Sequence, residues 1–260
     1  MSAALEPAAA CPSCGSRRAG AWCAGCGQRF RDGRLTVWGV VQQVVGELVT
    51  LDRGVLNTAR AALVAPGRLA ADFVAGRTAP YVGPVKYYLL IVGAAQLVAL
   101  RTGFLQDVVS GFFDGADGTV AADDVQSQAR TLAFARDYFV SLTALAIPFY
   151  AAWTRALFRR AGRNYAEHLV LALYTGAQLV AALVAWAAVV GLARRTFGPG
   201  FKPLEGIFYL LASVYQTAAL ACFTGVRWPG SAWRMVLAGV LAFVCWVALL
   251  VIALTASRHW

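Results

Sequence analysis

Long uncharged apolar runs separated by short polar connections dominate the chain beyond residue 80. Their length decides what they are, because roughly 17 to 25 helical residues cross about 30 Å of hydrocarbon. Five runs qualify: 84–100, 138–154, 169–193, 206–226 and 235–257. The first carries only Lys86, one turn from its start, where the ammonium can snorkel while Tyr87 and Tyr88 lie at headgroup level. The second contains Pro148, which predicts a kink, and ends in an aromatic belt of Phe149, Tyr150 and Trp153. The last three lack the polar face that a helix of a soluble bundle carries. The predicted fold class is therefore an all-α polytopic membrane protein with about five transmembrane helices.

Ahead of these runs the pattern changes period. Over 35–51, Val37, Trp38, Val40, Val41, Val44, Val45, Leu48, Val49 and Leu51 fill one half of a helical wheel, opposite Thr36, Gln42, Gln43, Glu47 and Thr50. Such a helix lies on something apolar, either the bilayer interface or the transmembrane bundle. Its polar arc holds no Lys or Arg, which favours protein as the surface beneath it. Asp52 can cap a second helix over 53–65, ended by Pro66-Gly67, and a third short helix runs to Gly76. Arg53, Asn57 and Arg60 share one face of the second, read as a solvated or phosphate-facing surface.

Composition agrees: 59% hydrophobic against 14% charged residues, with a mean hydropathy of +0.60, excludes a water-soluble domain. Net charge sharpens the picture by its placement. The +10 excess comes from 23 basic against 13 acidic residues. An orientation with the N-terminus in the cytosol puts Arg155, Arg159, Arg160, Arg163, Arg227, Arg234 and the ten basic residues up to Lys86 inside, 16 in all, leaving seven outside. The outer 102–137 loop, with Asp107, Asp114, Asp117, Asp123, Asp124 and Asp137, points the same way and suggests calcium only faintly. Residues 1–10 carry no pattern of a cleavable signal peptide, so the first span is expected to direct insertion.

The most specific chemistry lies near the N-terminus. Cys11-Pro-Ser-Cys14-Gly and Cys23-Ala-Gly-Cys26-Gly are two CxxC knuckles separated by eight residues, the spacing at which two tight turns present four thiolates to one tetrahedral ion. Gly15 and Gly27 let backbone amides turn toward the sulfurs. The doubled form favours structural Zn2+ over iron, a disulfide or a redox dithiol, and four thiolates leave no open position for catalysis. Metal binding would supply the folding energy that about 25 residues without a core lack. Reduced thiols suit the cytosol. Cys222 and Cys245 fall inside spans and read as small packing residues. The predicted organisation is a cytosolic zinc ribbon over 1–34, amphipathic juxtamembrane helices over 35–80 and a helical bundle over 81–260.

Cys26-Gly27-Gln28, Leu51-Asp52-Arg53-Gly54, Pro66-Gly67, Gly76-Arg77, Tyr81, Pro84, Tyr87-Tyr88 and Glu167-His168-Leu169 together give the chain a resemblance. It resembles an uncharacterised bacterial membrane-protein family known only as a domain of unknown function, with an N-terminal zinc ribbon before several transmembrane helices. The likeness covers residues 11 to 100 best. It implies a bacterial inner-membrane location and carries no activity. The chain departs from it at Tyr174, where that family tends to place a further histidine.

Polar groups within the spans are few. Gln96, Gln178 and Gln216, with Tyr174, Thr175, Tyr215 and Thr217, read first as interhelical hydrogen-bonding groups. Tyr174 and Gln178, four apart, share a side and are candidates to line a cavity. Glu167 and His168 stand at the cytoplasmic entrance of the third span and rank next after the cysteines as a functional site. As neighbours they point about 100° apart, so they cannot act together on one atom unaided.

The expected function is a non-enzymatic anchor, scaffold or sensor whose zinc ribbon engages a cytosolic protein partner. A transporter or channel subunit with Tyr174, Gln178 and Gln216 along a path is the alternative. A membrane-embedded enzyme using Glu167 and His168 comes third. Expected partners are the lipid bilayer, that cytosolic protein and a second copy in a homo-oligomer. Nucleic acid is disfavoured because the ribbon arginines have only Trp22 and Phe30 interleaved, and attraction to anionic lipid explains them more simply.

Overall fold

The computed structural model describes residues 10–17, 20–30, 34–38, 54–102, 144–198 and 205–257. Most of the amphipathic 35–51 segment, the Asp52 cap, the acidic outer loop and the first part of the 138–154 run lie outside the described residues. The fold is all-α. The described residues hold no strand, only two isolated bridges in the cysteine-rich segment.

Two short helices open the helical part, α1 (Gly54–Val64) and α2 (Pro66–Val74). Proline chemistry fixes their boundary. Pro66 has no N–H to continue the α1 ladder, and it drives the preceding Ala65 to an extended φ of −145°. The same proline then starts α2 with its φ already helical. At the far end of α2, the Gly76 amide donates to the Phe73 carbonyl and the Arg77 amide to that of Asp72, a Schellman closure built on the positive φ of Gly76. The Arg77 guanidinium also pairs with the Asp72 carboxylate.

The long helices follow as α3 (Pro84–Thr102), α4 (Ala146–Leu157), α5 (Tyr165–Phe197), α6 (Glu205–Thr224) and α7 (Trp228–Ser257), with a 3-10 turn Arg159–Ala161 between α4 and α5. Three of them are long and apolar enough to cross a membrane, over Tyr165–Phe197, Ile207–Thr224 and Ala232–Leu249. They overlap the expected third, fourth and fifth spans, α6 ending two residues short of 226, and make this a membrane protein. The apolar part of α3, Pro84–Val98, is shorter. Among the described residues the second run contributes 146–154 to α4, where Pro148 follows a break in helical hydrogen bonding at Leu145, as a missing amide opposite the Ala144 carbonyl requires.

Helix α5 is the central post. Its buried face of Ala166, Val170, Leu171, Tyr174 and Ala177 packs against α3, α4, α6 and the α1–α2 hairpin. Polar side chains on the long helices serve the hairpin backbone. Tyr215 donates to the Ala62 carbonyl at 2.7 Å, the group that Pro66 leaves without a helical partner. Gln178 Nε2 donates to the Ala59 carbonyl at 2.9 Å while its Oε1 accepts from the Tyr87 hydroxyl at 3.1 Å. Tyr174 donates to the Val82 carbonyl at 2.7 Å, and Thr58 Oγ1 accepts from the Val82 amide at 2.9 Å. The hairpin also touches α6 directly: a Cβ on Gly67 would lie 2.3 Å from the Ala219 carbonyl oxygen and 2.7 Å from Cys222 Cβ.

That approach to the α6 backbone sets Gly67 apart from Gly176 of α5, whose added Cβ would meet only the tip of the Ile147 side chain, at 2.6 Å. Gly67→Ala must push α2 off α6 and is expected to cost about 1–3 kcal/mol, the usual scale of overpacking. Gly93→Ala, with nothing within 4 Å of its added methyl, should be nearly neutral. Thermal unfolding of both variants in detergent micelles checks this, and equal melting temperatures would refute the contact.

Candidate metal centre

The two CxxC segments fold as near-identical knuckles twelve residues apart. In the first, the Gly15 amide donates to the Cys11 carbonyl and the Cys11 amide to that of Ser16, both at 2.8 Å. In the second, Gly27 donates to Cys23 at 2.8 Å and Cys23 to Gln28 at 2.7 Å. Bridges Ala10 to Arg17 and Trp22 to Arg29 close the two bases. Gly15 and Gly27 stand at φ of 76° and 70°, a region where a side chain would be strained.

These turns bring the four sulfurs of Cys11, Cys14, Cys23 and Cys26 within 4.8 Å of one another, the one such cluster among the described residues. Cys11 and Cys26 are 3.7 Å apart, and Cys14 and Cys23 3.4 Å. A disulfide needs about 2.05 Å. Tetrahedral coordination with metal–sulfur bonds of about 2.3 Å places sulfurs about 3.8 Å apart, so the arrangement fits one ion and can bind a metal. Cys11 and Cys23 are buried and Cys14 is exposed.

Charge chemistry points the same way. The Ser16 side chain and backbone, then Cys23, pull the Cys14 thiol down to about 6. Cys26 moves oppositely, to about 12: the Gln28 backbone favours its thiolate, but desolvation and the crowding of Cys14, Cys23 and Cys11 outweigh it. Four thiolates this close repel one another, and a divalent cation at their centre turns that repulsion into attraction.

The ribbon is fastened to the helices at two places. Gln28, in the second knuckle, is buried. Its Oε1 accepts from the Ser13 hydroxyl and from the amides of Thr78 and Ala79 at 3.4 and 3.3 Å, and its Nε2 donates to the Gly76 carbonyl. The loop after α2 is thus gripped by one amide side chain. Farther on, Arg34 Nε donates to Glu167 Oε1 at 2.7 Å and Nη2 to the Gly162 carbonyl. Glu167 is 3% exposed, and its hydrogen bond and then its charge push the Arg34 guanidinium further up from its ordinary value.

Glu167 has a local duty as well. The Asn164 side chain accepts from the Glu167 amide at 2.9 Å while the Glu167 carboxylate accepts from the Asn164 amide at 3.3 Å, a reciprocal capping box at the start of α5. Arg163 stands 3.9 Å away, and Asn164 Nδ2 donates to the Leu35 carbonyl at 2.9 Å. A cavity of about 420 Å³ opens between Arg34, Arg163, Glu167 and the end of α6. His168 points elsewhere, edge-on to the Phe223 ring at 5.7 Å. It is 1% exposed, and neither ring nitrogen has a hydrogen-bonding partner among the described residues.

The structure therefore gathers the four cysteines, separates Glu167 from His168, and gives Tyr174 and Gln178 to the backbone bonds described above. Sequence reasoning assigned no contact to Gln28 and read Arg34 as an orienting and lipid-attracting charge. The Asn164-x-x-Glu167 spacing was a readable capping signal. Residues 52–95, spanning α1, α2 and most of α3, match a family described as a protein of unknown function (DUF3667). That supports the likeness to an uncharacterised domain-of-unknown-function family over this segment. No curated protein and no solved structure matches the chain.

Two outcomes test the fastening. Gln28→Ala should keep the bound metal yet open the 10–30 segment to limited proteolysis, whereas Cys11→Ser with Cys14→Ser should lose both metal and protection; elemental analysis and peptide mapping read them. Glu167→Gln preserves the cap but abolishes the charge facing Arg34 and should lower stability to chemical denaturation by about 1–3 kcal/mol.

Proposed function

We propose that this chain is a non-enzymatic scaffold or sensor of a bacterial inner membrane, in which a structural zinc ribbon rides on the cytosolic end of a helical anchor and offers a surface to a cytosolic protein. The double fastening carries this reading. Gln28 and Arg34 hold the ribbon in a set position on the bundle, and a module that only tethered the chain would need neither grip. Zinc is favoured because four thiolates at near-tetrahedral spacing suit a soft-tolerant ion with no preference beyond that geometry.

The surface so presented includes Trp22, 61% exposed beneath the Arg29 guanidinium at 5.9 Å. Exposed aromatic and arginine side chains are the groups most enriched at the centres of protein interfaces. A cytosolic position is supported by Arg155, Arg159, Arg160, Arg163, Arg227 and Arg234, which sit at the same end of the helices as the Arg34–Glu167 pair. The transporter reading draws less support: Tyr174 and Gln178 bond to backbone carbonyls, and Gln216 accepts from Tyr150 at 3.3 Å. For the enzyme reading, Glu167 is already occupied by Asn164 and Arg34.

A photo-crosslinking residue replacing Trp22 in cells should give a discrete protein adduct that disappears when Cys11 and Cys14 are changed to serine, with membrane insertion unaltered. Absence of an adduct, or an adduct indifferent to the serine changes, would overturn the reading.

A further inference from the structure

The cavity beside the Arg34–Glu167 pair measures about 420 Å³, a usual size for a small-ligand site. Arg34, Arg163 and Glu167 line it together with the last residues of α6, Cys222 to Thr224, and Gly225. It stands where one apolar helix begins, at Tyr165, and another ends, at Thr224. That is the level at which a span meets lipid headgroups.

Its walls carry both signs of charge. Two guanidiniums against one carboxylate leave a net positive charge, and the carboxylate is already engaged: Glu167 Oε1 accepts from Arg34 Nε at 2.7 Å and Oε2 from the Asn164 amide at 3.3 Å. The guanidiniums are not used up. Arg34 bonds through Nε and Nη2, so its Nη1 has no partner among the described residues. Arg163 makes no hydrogen bond among them; its Nη1 stands 3.9 Å from Glu167 and its Cζ 4.7 Å from the Phe223 ring centre, with the side chain 31% exposed. Free N–H edges of guanidiniums match phosphate oxygens.

The α6 wall has the opposite character. Gly225, at a φ of 71°, closes the helix by donating to the Ala221 carbonyl at 2.9 Å. The carbonyls of Cys222, Phe223 and Thr224 lie beyond that closure, without a partner inside α6 and at the negative end of its dipole. A bare anion is repelled there, whereas an ammonium group is attracted.

We propose that this cavity binds a phosphate joined to a primary amine, the chemistry of the phosphatidylethanolamine headgroup, with the phosphate on Arg34 and Arg163 and the ammonium on the last carbonyls of α6. Glu167 holds both guanidiniums from behind. A primary ammonium brings three N–H donors to carbonyl oxygens, and a quaternary one brings none. Phosphatidylglycerol offers the phosphate without the cation. The site therefore separates three headgroups that share one phosphate, and it does so without reference to what the ribbon engages. The same chemistry exists in solution as glycerophosphoethanolamine, which lacks only the acyl chains.

Native mass spectrometry of the delipidated, metal-loaded full chain in detergent micelles tests this, by titration with phosphatidylethanolamine, phosphatidylcholine, phosphatidylglycerol, glycerophosphoethanolamine and inorganic phosphate. Phosphatidylethanolamine should form a one-to-one adduct about fivefold tighter than the other two lipids. Arg163→Gln should weaken it about tenfold, and Arg160→Gln, an exposed arginine on the neighbouring turn, should leave it unchanged. Ala161→Trp, which fills the cavity and removes no charge, should abolish the adduct and serves alone should Arg163→Gln not fold by circular dichroism. Glycerophosphoethanolamine binding as tightly as the lipid assigns the site to a soluble ester; binding only with acyl chains assigns it to the bilayer, and either upholds the amine–phosphate chemistry. Phosphatidylglycerol, phosphatidylcholine or inorganic phosphate binding as well as phosphatidylethanolamine overturns it. So does an adduct that Arg160→Gln weakens as much as Arg163→Gln, or the lack of any adduct.

Discussion

A backbone carbonyl with no donor in an apolar interior costs several kcal/mol, and this fold is arranged around one such group. Pro66 strips the Ala62 carbonyl of its helical partner, and the Tyr215 hydroxyl, arriving from a helix more than 150 residues away in sequence, replaces it. From α5, Gln178 and Tyr174 add bonds to the Ala59 and Val82 carbonyls. Once these bonds are made, the hairpin is locked between α5 and α6 closely enough that only glycine fits at position 67. Tyr174, Gln178 and Tyr215 are thus polar residues of the long helices with a defined backbone group to satisfy.

The same economy governs the junction between ribbon and bundle. Gln28 spends both ends of its amide on the loop closed by the Gly76 turn, and Glu167 divides one carboxylate between its own helix start and Arg34. Arg163 is placed by Glu167 at 3.9 Å and by the Phe223 ring at 4.7 Å, so the cationic groups at this end are held from behind by carboxylate and aromatic ring. His168 stands out against this background as a buried imidazole without a bonded neighbour among the described residues.

What was legible in the sequence is what depends on spacing. Two CxxC knuckles at fixed separation define the sulfur cluster, Pro66 and Gly76 define the ends of α2, and run length marks α5, α6 and α7 as membrane helices. What was not legible depends on which distant groups meet. The Tyr174 and Gln178 pattern shows that both face one way, but whether that way is a cavity or a carbonyl is decided by where α1 and Val82 lie. Periodicity likewise gives the 35–51 segment an apolar side without telling whether bilayer or bundle lies beneath it. Gln28 looks like any surface amide until Gly76 is brought beside it, because hydrogen-bond pairing across 48 residues leaves no local trace.

The separation of Arg34 from Glu167 also sets an order in time. The two residues lie 133 positions apart, and ribosomes extend chains at about 5–20 residues per second, so on the order of 10 s of synthesis divides them. The thiols of the ribbon are complete long before the helix that anchors it exists. During that interval the turns are held by their own hydrogen bonds and by the ion their four sulfurs can bind, without support from Glu167. The newborn protein therefore passes through a stage in which its metal module is finished and its mooring is not.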